Sequence, residues 1–342
     1  MTAAKSRRVT LKDVAREAGV SIGMASRVLG GYGSYSAETA RRVREAARRL
    51  DYRPNMLARS LRLGRTRAIG LVVSYLLSPT WTSFARDIDA AAAQHSYQTL
   101  VGTAASDPQA EQEYLRTLVE HRVAGIIASP SPASEPLVAE IVASGVPMVL
   151  LGSSNGDLGA PRVNAADKDA ARRATAHLLE LGHRRVAVVA GPMELWPVRE
   201  RVEGYRDALR AAGAEQDEDL VAPGIYRADD AYQAARRLLD LPERPTAVLT
   251  GNELLAGAVL HCLKDRDVSV PDELSVVTFD DPPWAAFYRP ALTAVRVPRP
   301  ELARLAVETL LAQLAGPGDE PLPDERVVDL DLIVRESTAP PS

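Results

Sequence analysis

With 342 residues the chain can hold a small domain plus one or two larger ones. Its single cysteine, Cys262, excludes an internal disulfide, and no apolar run is long enough to span a bilayer. The net charge of −4 hides an asymmetry: residues 1–67 carry 16 Lys/Arg against 5 Asp/Glu, a net of +11, which leaves −15 for residues 68–342. A basic head joined to an acidic body fits one domain that meets phosphates and one that does not. The opening residues lead into a polar stretch rather than an apolar signal core, so a soluble cytoplasmic protein is expected.

The head reads as helix, glycine turn, helix. Thr10 can cap a first helix, with Asp13 three residues on to reciprocate. Leu11, Val14, Ala15 and Ala18 share one face at helical spacing. Gly19 supplies the turn, and Ser21 can cap a second helix carrying Ile22, Gly23, Met24, Ser26 and Arg27. This is helix-turn-helix geometry, whose second helix enters the major groove of DNA. A third helix follows, with Ser36 as its cap and Val43, Ala46, Ala47 and Leu50 as its inner stripe. The glycine-rich run from Gly30 to Tyr35 reads as a connector with no chemistry of its own. Arg41, Arg42, Arg44, Arg48 and Arg49 could alone be a solvated helix face; the order of the motifs beside them makes DNA the better reading.

Several runs carry a family resemblance: Thr-Leu-Lys-Asp-Val-Ala from Thr10, Ala-Gly-Val-Ser from Ala18, Ser-Arg-Val-Leu from Ser26, and Tyr-Arg-Pro-Asn from Tyr52 followed by Ala58-Arg-Ser-Leu61. The chain resembles the LacI/GalR family of bacterial transcription regulators over nearly its whole length. The resemblance implies base contacts from Ile22, Gly23, Met24 and Arg27; an arginine can donate twice to a guanine edge and an apolar side chain can pack on a thymine methyl. Gly23 departs from the polar or larger reader common in the family, and Met24 stands where Thr is frequent. Lys12, Ser21, Ser26 and Ser36 are the candidates for phosphate contacts, which set register; for Ser21 and Ser36 the competing role is helix capping. The segment 53–67 is expected to be a hinge, with Asn55, Ala58 and Leu61 at its working positions. About two helical turns are marginal alone in water, so the family's hinge folds when paired on DNA, its leucine wedged into the minor groove.

From Ala68 the pattern changes to buried strands alternating with helices, which argues for parallel α/β sheets. Strands are expected at 68–73, 97–102, 123–128, 146–151, 185–190, 247–250 and 274–279. Helices are expected at 84–95, 109–120, 135–144, 169–181, 199–212, 231–240, 255–266 and 300–315, and a closing strand in 330–338. The fold class is therefore an all-α helix-turn-helix head with an α/β body, which the resemblance makes a two-lobed type I periplasmic-binding-protein fold. The domains are expected at 1–52 (head), 53–67 (hinge and linker) and 68–342, with lobe 1 near 68–166 plus 294–325 and lobe 2 near 167–293 plus 326–342.

Ligands of open α/β sheets bind beyond the carboxyl ends of the strands. Ser78, Trp81, Ser129, Trp196, Arg201, Tyr226, Asn252 and Asp280 fall there and are the candidate effector contacts. Arg201 matches the family's effector arginine in an Arg-x-x-Gly motif, Asn252-Glu253 resembles its Asn-Asp pair, and Phe279-Asp280-Asp281 its Phe-Asp-Asp. Arg, Asn and Asp forks beside aromatic rings suit a polyhydroxylated sugar. Gly152 and Ala166-Asp167 depart from the family at two usual contacts. Trp81, Trp196 and Trp284 could equally be packing, and Arg201 and Asp280 could pair with each other. His177 and His183 lack the spacing of a familiar zinc motif, Cys262 reads as core, and no P-loop or Gly-x-Ser-x-Gly is present.

The expected function is a ligand-responsive repressor that binds a pseudo-palindromic double-stranded operator as a homodimer, controlled by a small molecule expected to be a sugar, with no cofactor, metal or membrane partner. The absence of a leucine-heptad tail favours a dimer over a tailed tetramer. A solute-binding protein of a sugar transport system is the alternative; the head and the missing signal segment speak against it. A sugar-active enzyme finds no catalytic motif.

Overall fold

The computed structural model describes residues 9–30, 32–52, 66–73, 78–104, 107–153, 158–224, 227–316 and 321–342. The expectations at Asn55, Ala58, Leu61 and Tyr226 lie outside them. The chain divides into two compact units, Met1–Thr66 and Arg67–Ser342.

The first unit holds three helices, α1 (Leu11–Ala18), α2 (Ile22–Gly30) and α3 (Ala37–Arg49). Thr10 and Asp13 form the reciprocal capping box that starts α1. Gly19 ends it in the left-handed region, at φ 61°, a conformation costly for any residue with a Cβ. Ser21 Oγ accepts from the Met24 amide at 3.1 Å, and Ser36 Oγ accepts from the Thr39 amide at 3.1 Å. Val14, Ala15, Ala18, Ala25, Val28, Val43 and Ala46 are buried together. Small side chains let three short helices approach closely, and Arg42 ties α3 to α1 by donating to the Ala18 carbonyl at 2.5 Å, a cation at a helix carboxyl end.

The second unit carries two six-stranded sheets among the described residues. The first orders β2 (Gln98–Thr103), β1 (Ala68–Val73), β3 (Gly125–Ala128), β4 (Met148–Leu151), β5 (Arg162–Ala165) and β11 (Glu325–Val328), all parallel. The second orders β7 (Val221–Ala222), β6 (Val186–Val189), β8 (Ala247–Thr250), β9 (Ser275–Phe279), β10 (Thr293–Arg296) and β12 (Asp331–Ile333), parallel except for the β10–β12 pair. Central strands read as unbroken apolar runs because both faces are covered. In β1, Ile69, Leu71 and Val73 enter one core while Val72 enters the other; in β6, Ala187 and Val189 face away from Val186 and Val188.

The helices are α4 (Pro79–Gln94), α5 (Pro108–Glu120), α6 (Glu135–Ala143), α7 (Asp167–Glu180), α8 (Trp196–Ala211), α9 (Ala228–Leu239), α10 (Glu253–Asp265), α11 (Pro283–Phe287) and α12 (Arg299–Ala315). Three start three or more residues earlier than their apolar spacing predicts, α4, α8 and α9, the last at Ala228 against an expected 231; the first two carry a proline in their opening turn. Ser78 caps α4 ahead of Pro79, five residues before Phe84, and Pro197 opens α8 ahead of Arg199; proline suits a first turn because that amide has no helical partner. The strands β5, β7, β10 and β11 were not foreseen. Each has four residues or fewer; charged or polar positions blur the pattern in β5, β10 and β11, and β7 is only two residues long.

The chain passes between the sheets three times: from β5 to α7, from β10 to α12, and from β11 to β12. The lobe limits expected at 294 and 326 are thus each displaced by one strand: β10 belongs to the second sheet and β11 to the first. His183, expected as a helix-end residue, is buried and bonded to Thr246, Ser275 and the Ala339 carbonyl, and His177 to Thr338. Burial holds both imidazoles below their usual pKa, so they fasten the C-terminal segment as neutral groups. Cys262 is fully buried, and burial raises its thiol pKa; it is core.

Candidate functional site

On the first unit the start of α2 is the exposed feature. Ile22 is 49% exposed, and Gly23 and Arg27 are also exposed. An isoleucine left in water at the first turn of a short helix contributes nothing to the core. Met24 is half-buried and packs against the head core, so much of its surface is committed inward. Lys12 is exposed. Ser21 and Ser36 serve as caps, as their sequence positions allow. The connector after α2 is not inert: the Tyr32 hydroxyl lies 3.0 Å from Ser26 Oγ, and the stem of Arg27 lies against Gly33. The loop therefore folds back on the helix and restricts the side chains that the resemblance assigns to DNA.

On the second unit, a cavity of about 630 Å³ opens between the two sheets. The parallel strands of both sheets point their carboxyl ends at it, so residues just past β1, β3, β4, β6, β8 and β9 line it. Ser78, Trp81, Ser129, Trp196, Arg201, Asn252 and Asp280 all face this cavity; the sequence spacing brought seven described candidates to one place. Trp284 does not. It packs on the second-sheet core and lies edge-on to Tyr288 at 6.4 Å.

Arg201 is already engaged. Its Nε donates to Asp167 Oδ1 at 2.7 Å and its Nη1 to the Gly251 carbonyl, while the guanidinium sits 4.2 Å above the Phe279 ring, a cation–π contact. Burial alone would lower its pKa, but Asp167, Asp280 and Glu253 outweigh that and hold it above its usual value. Burial pushes Asp167 up, and Arg201 pulls it back in part. The pairing of Arg201 with Asp280 does not occur; Asp280 pairs with Glu253 instead. Burial and the neighbouring Glu253 carboxylate raise Asp280 well above the usual range. For Glu253, burial is outweighed by hydrogen bonds from Asp280, Ser78 and the Thr80 amide, which lower its pKa. The two buried carboxyls oppose each other's ionisation, and the neutral form is favoured at Asp280. Asp280 is held there by a left-handed backbone, φ 67°.

Asn252 caps α10, its Oδ1 accepting from the Leu255 amide at 2.9 Å. Ser78 caps α4 and donates to Glu253 Oε1. Gly152, noted as a departure, lies at φ 59°, and a Cβ there would stand 3.0 Å from Pro197 Cγ; the missing side chain lets the second lobe close on the first. Asp167, Glu253, Thr80 and Arg299 also line the cavity and were not among the candidates. For Glu253 a signal existed, an acid three residues past the apolar strand β8, whereas Asp167 follows β5, whose charged and polar positions hid it. Arg299 had none, because a crossing between sheets delivers it.

The fold and its sites define a class: a helix-turn-helix head on a two-lobed ligand-cleft body. The pattern of bacterial regulatory proteins of the lacI family matches residues 10–55, and that of the periplasmic binding protein-like domain matches residues 175–338. The HTH-type transcriptional repressor CytR of Escherichia coli (strain K12) is 32% identical over 329 residues, covering 96% of each chain. The ribose operon repressor of the same organism is 31% identical over 310 residues, covering 90% of this chain and 94% of the relative. Among solved structures, the lac repressor dimer bound to operator and the anti-inducer ONPF aligns with a TM-score of 0.85 at 26% identity over 97% of this chain and 100% of that one. The complex of the transcriptional regulator CelR with cellobiose aligns with a TM-score of 0.71 at 33% identity over 96% and 100%. The chain belongs to the lacI family of bacterial regulatory proteins and is a ligand-responsive, DNA-binding transcriptional regulator. Its relatives are regulators rather than enzymes, and no helix among the described residues is long and apolar enough to cross a membrane.

Proposed function

We propose that this protein represses transcription in the cytoplasm by holding a pseudo-palindromic operator as a homodimer, and that a sugar in the inter-lobe cleft relieves the repression. The observation that carries the reading is the cavity of about 630 Å³ at the carboxyl ends of two parallel sheets, with aromatic rings and polar forks converging on it. Its size exceeds the minimum for a small-ligand pocket, and Trp81 and Trp196 supply apolar faces for sugar rings; a two-ring sugar such as the cellobiose of the CelR complex suits it better than one ring. In the head, Ile22 and Arg27 read bases, Gly23 admits the backbone, Met24 adds a partial apolar contact, and Lys12, Ser21, Ser26 and Ser36 set the register on phosphates. Residues 53–67 form the hinge, where Asn55, Ala58 and Leu61 pair with a second subunit's hinge and enter the minor groove. Ligand occupancy changes lobe closure and thereby the hinge pairing, which requires that the ligand bind the two states with different affinity.

The test is a gel-shift assay on the upstream regions of neighbouring genes, with and without a sugar panel. A specific shift that a sugar abolishes is expected. No specific shift at low salt, with or without ligands, would overturn the repressor reading and return the solute-binding alternative.

A further inference from the structure

The glycine-rich connector after α2 carries an exposed aromatic side chain, Tyr32. Tyr35, three residues on, packs against the head core; Tyr32 makes its contacts elsewhere. Its hydroxyl lies 3.0 Å from Ser26 Oγ. Its amide donates to the Arg27 carbonyl at 3.2 Å, one of the carbonyls that a helix end leaves without a helical partner. Its ring lies over Gly30, where a Cβ would stand 2.3 Å from Tyr32 Cε1 and 2.6 Å from Cδ1. The next residue, Gly33, has φ 75°, and a Cβ on it would stand 3.2 Å from Arg27 Cδ and 3.8 Å from Cγ.

These contacts converge on Ser26 and Arg27, neighbours on the helix that reads DNA. Both glycines are needed for that. A side chain at position 30 would take the place of the ring, and one at position 33 would press on the arginine stem from a backbone that disfavours any Cβ. Helix stability alone does not call for this arrangement: alanine at position 30 would be the better helix former, and an exposed ring adds little to a core. What the arrangement does is hold two side chains in place before DNA arrives. An arginine carries much rotamer freedom, and a stem already held gives up less of it on binding. A serine hydroxyl held by a hydrogen bond is likewise aimed before it meets a phosphate. Phosphate contacts set the register in which bases are read, so a misdirected Ser26 also degrades reading by Arg27. Sliding, non-specific complexes have no fixed register and gain less from such aim.

We propose that Tyr32, its ring seated over Gly30 and the following Gly33 set against the arginine stem, is a positioning residue that determines operator specificity by aiming Ser26 and Arg27 at the duplex before the protein binds. The inference rests on the reading of Ser26 and Arg27 as DNA contacts and deepens it. The glycine-rich connector is then a brace for the reading helix, and its glycines are the room the brace requires.

The test is fluorescence anisotropy of the full-length protein, at one fixed salt concentration, on two labelled duplexes: one that the wild-type protein enriches from a random-sequence pool, and a shuffled version of it. Tyr32→Phe keeps the ring and removes only the hydroxyl. It is expected to weaken the enriched duplex about threefold to tenfold, the contribution of one neutral hydrogen bond, and to leave the shuffled duplex within about twofold, where no register is set. Ser26→Ala is expected to lose at least as much, and adding Tyr32→Phe to it should change nothing further, because Tyr32 acts through Ser26. Gly30→Ala puts a methyl where the ring lies; it is expected to lower the preference for the enriched duplex as Tyr32→Ala does, and to have no further effect in the Tyr32→Ala background. A wild-type preference in Tyr32→Phe, an equal loss on both duplexes, or additive losses in Tyr32→Phe/Ser26→Ala would overturn the brace. Arg27→Ala separates this from the reading of the head. If it loses sequence preference while Tyr32→Phe retains it, the brace alone falls; if it keeps the wild-type preference, or if the pool yields no enriched duplex, the reading of the head falls with the brace.

Discussion

Arg201 Nε donates to Asp167 Oδ1 at 2.7 Å, and the two helices that carry these residues touch at Gly204. A Cβ at Gly204 would fall 2.0 Å from the Lys168 carbonyl oxygen. The arginine and the glycine three residues on are thus one device. The glycine lets α8 approach the first turn of α7 backbone to backbone, and the arginine, one turn earlier, then reaches the acid at the head of α7.

The first prediction concerns that contact. Gly204→Ala must push α8 off α7, so it should lower stability by about 1–3 kcal/mol, the range for overpacking in a tight interior. Chemical denaturation read by tryptophan fluorescence would show it. A midpoint equal to wild type would mean that the helices separate freely.

Arg201→Ala leaves Asp167 buried without its partner. The loss should be about 3–5 kcal/mol, because an uncompensated buried charge is more costly than the pair. Arg201→Ala/Asp167→Ala should be less destabilised than the two single changes summed, since the residues form one interaction. Ligand response should fall with the single change because Gly251 and Phe279 lose their anchor. Additive losses in a double-mutant cycle would show that the pair is not coupled.

In the head, Arg27→Ala should remove preference for one base pair at a cost of about 1–3 kcal/mol, while Lys12→Ala should weaken all sequences alike and reduce the salt slope by about 1. Binding isotherms on operator and scrambled DNA at several salt concentrations separate the two. A Lys12→Ala variant that changes sequence preference would contradict its placement on phosphate.

Gly19→Ala should destabilise the head by about 1–2 kcal/mol, the cost of placing a Cβ in the left-handed region. The added carbon would also stand 2.8 Å from Arg42 Nη2, which must then leave the α1 carboxyl end. Thermal unfolding followed by helical circular dichroism checks this.

Asp281 contributes to the acid limb of stability in the body. Arg335 holds it with Nη1–Oδ1 2.8 Å and Nη2–Oδ2 2.9 Å, and Arg296 adds a contact at 2.9 Å. Burial alone would raise its pKa, but these two guanidinium groups outweigh it, and the folded value lies below the ordinary 3.8. Stability from this group is therefore fully present above the unfolded value and is lost as pH falls through the folded one. Asp281→Asn should lower stability at pH 7 and flatten its fall below about pH 4. An unchanged pH profile would show that other acids set the limb.

The sequence by itself determined the helix-turn-helix, the alternation of strands and helices, and the ends of the strands where the cleft opens. These features are local. Capping at Thr10, Ser21 and Ser36, an apolar face in α1, and unbroken runs such as 68–73 depend on neighbours within a few residues. Seven of the eight cleft candidates, all but Tyr226, line the cavity: Ser129, Asn252 and Asp280 closely follow strands, and a parallel sheet sends those carboxyl ends to one side, while Arg201 was legible only through the Arg-x-x-Gly motif of the resemblance. The tertiary structure alone decided which sheet β10 and β11 join, that Arg201 chooses Asp167 over Asp280, and that Glu253 reaches Ser78 across 175 positions. Those choices turn on distances between segments far apart in the chain. Spacing along one segment carries no information about them, because they are settled by how two lobes crossed three times come to face each other.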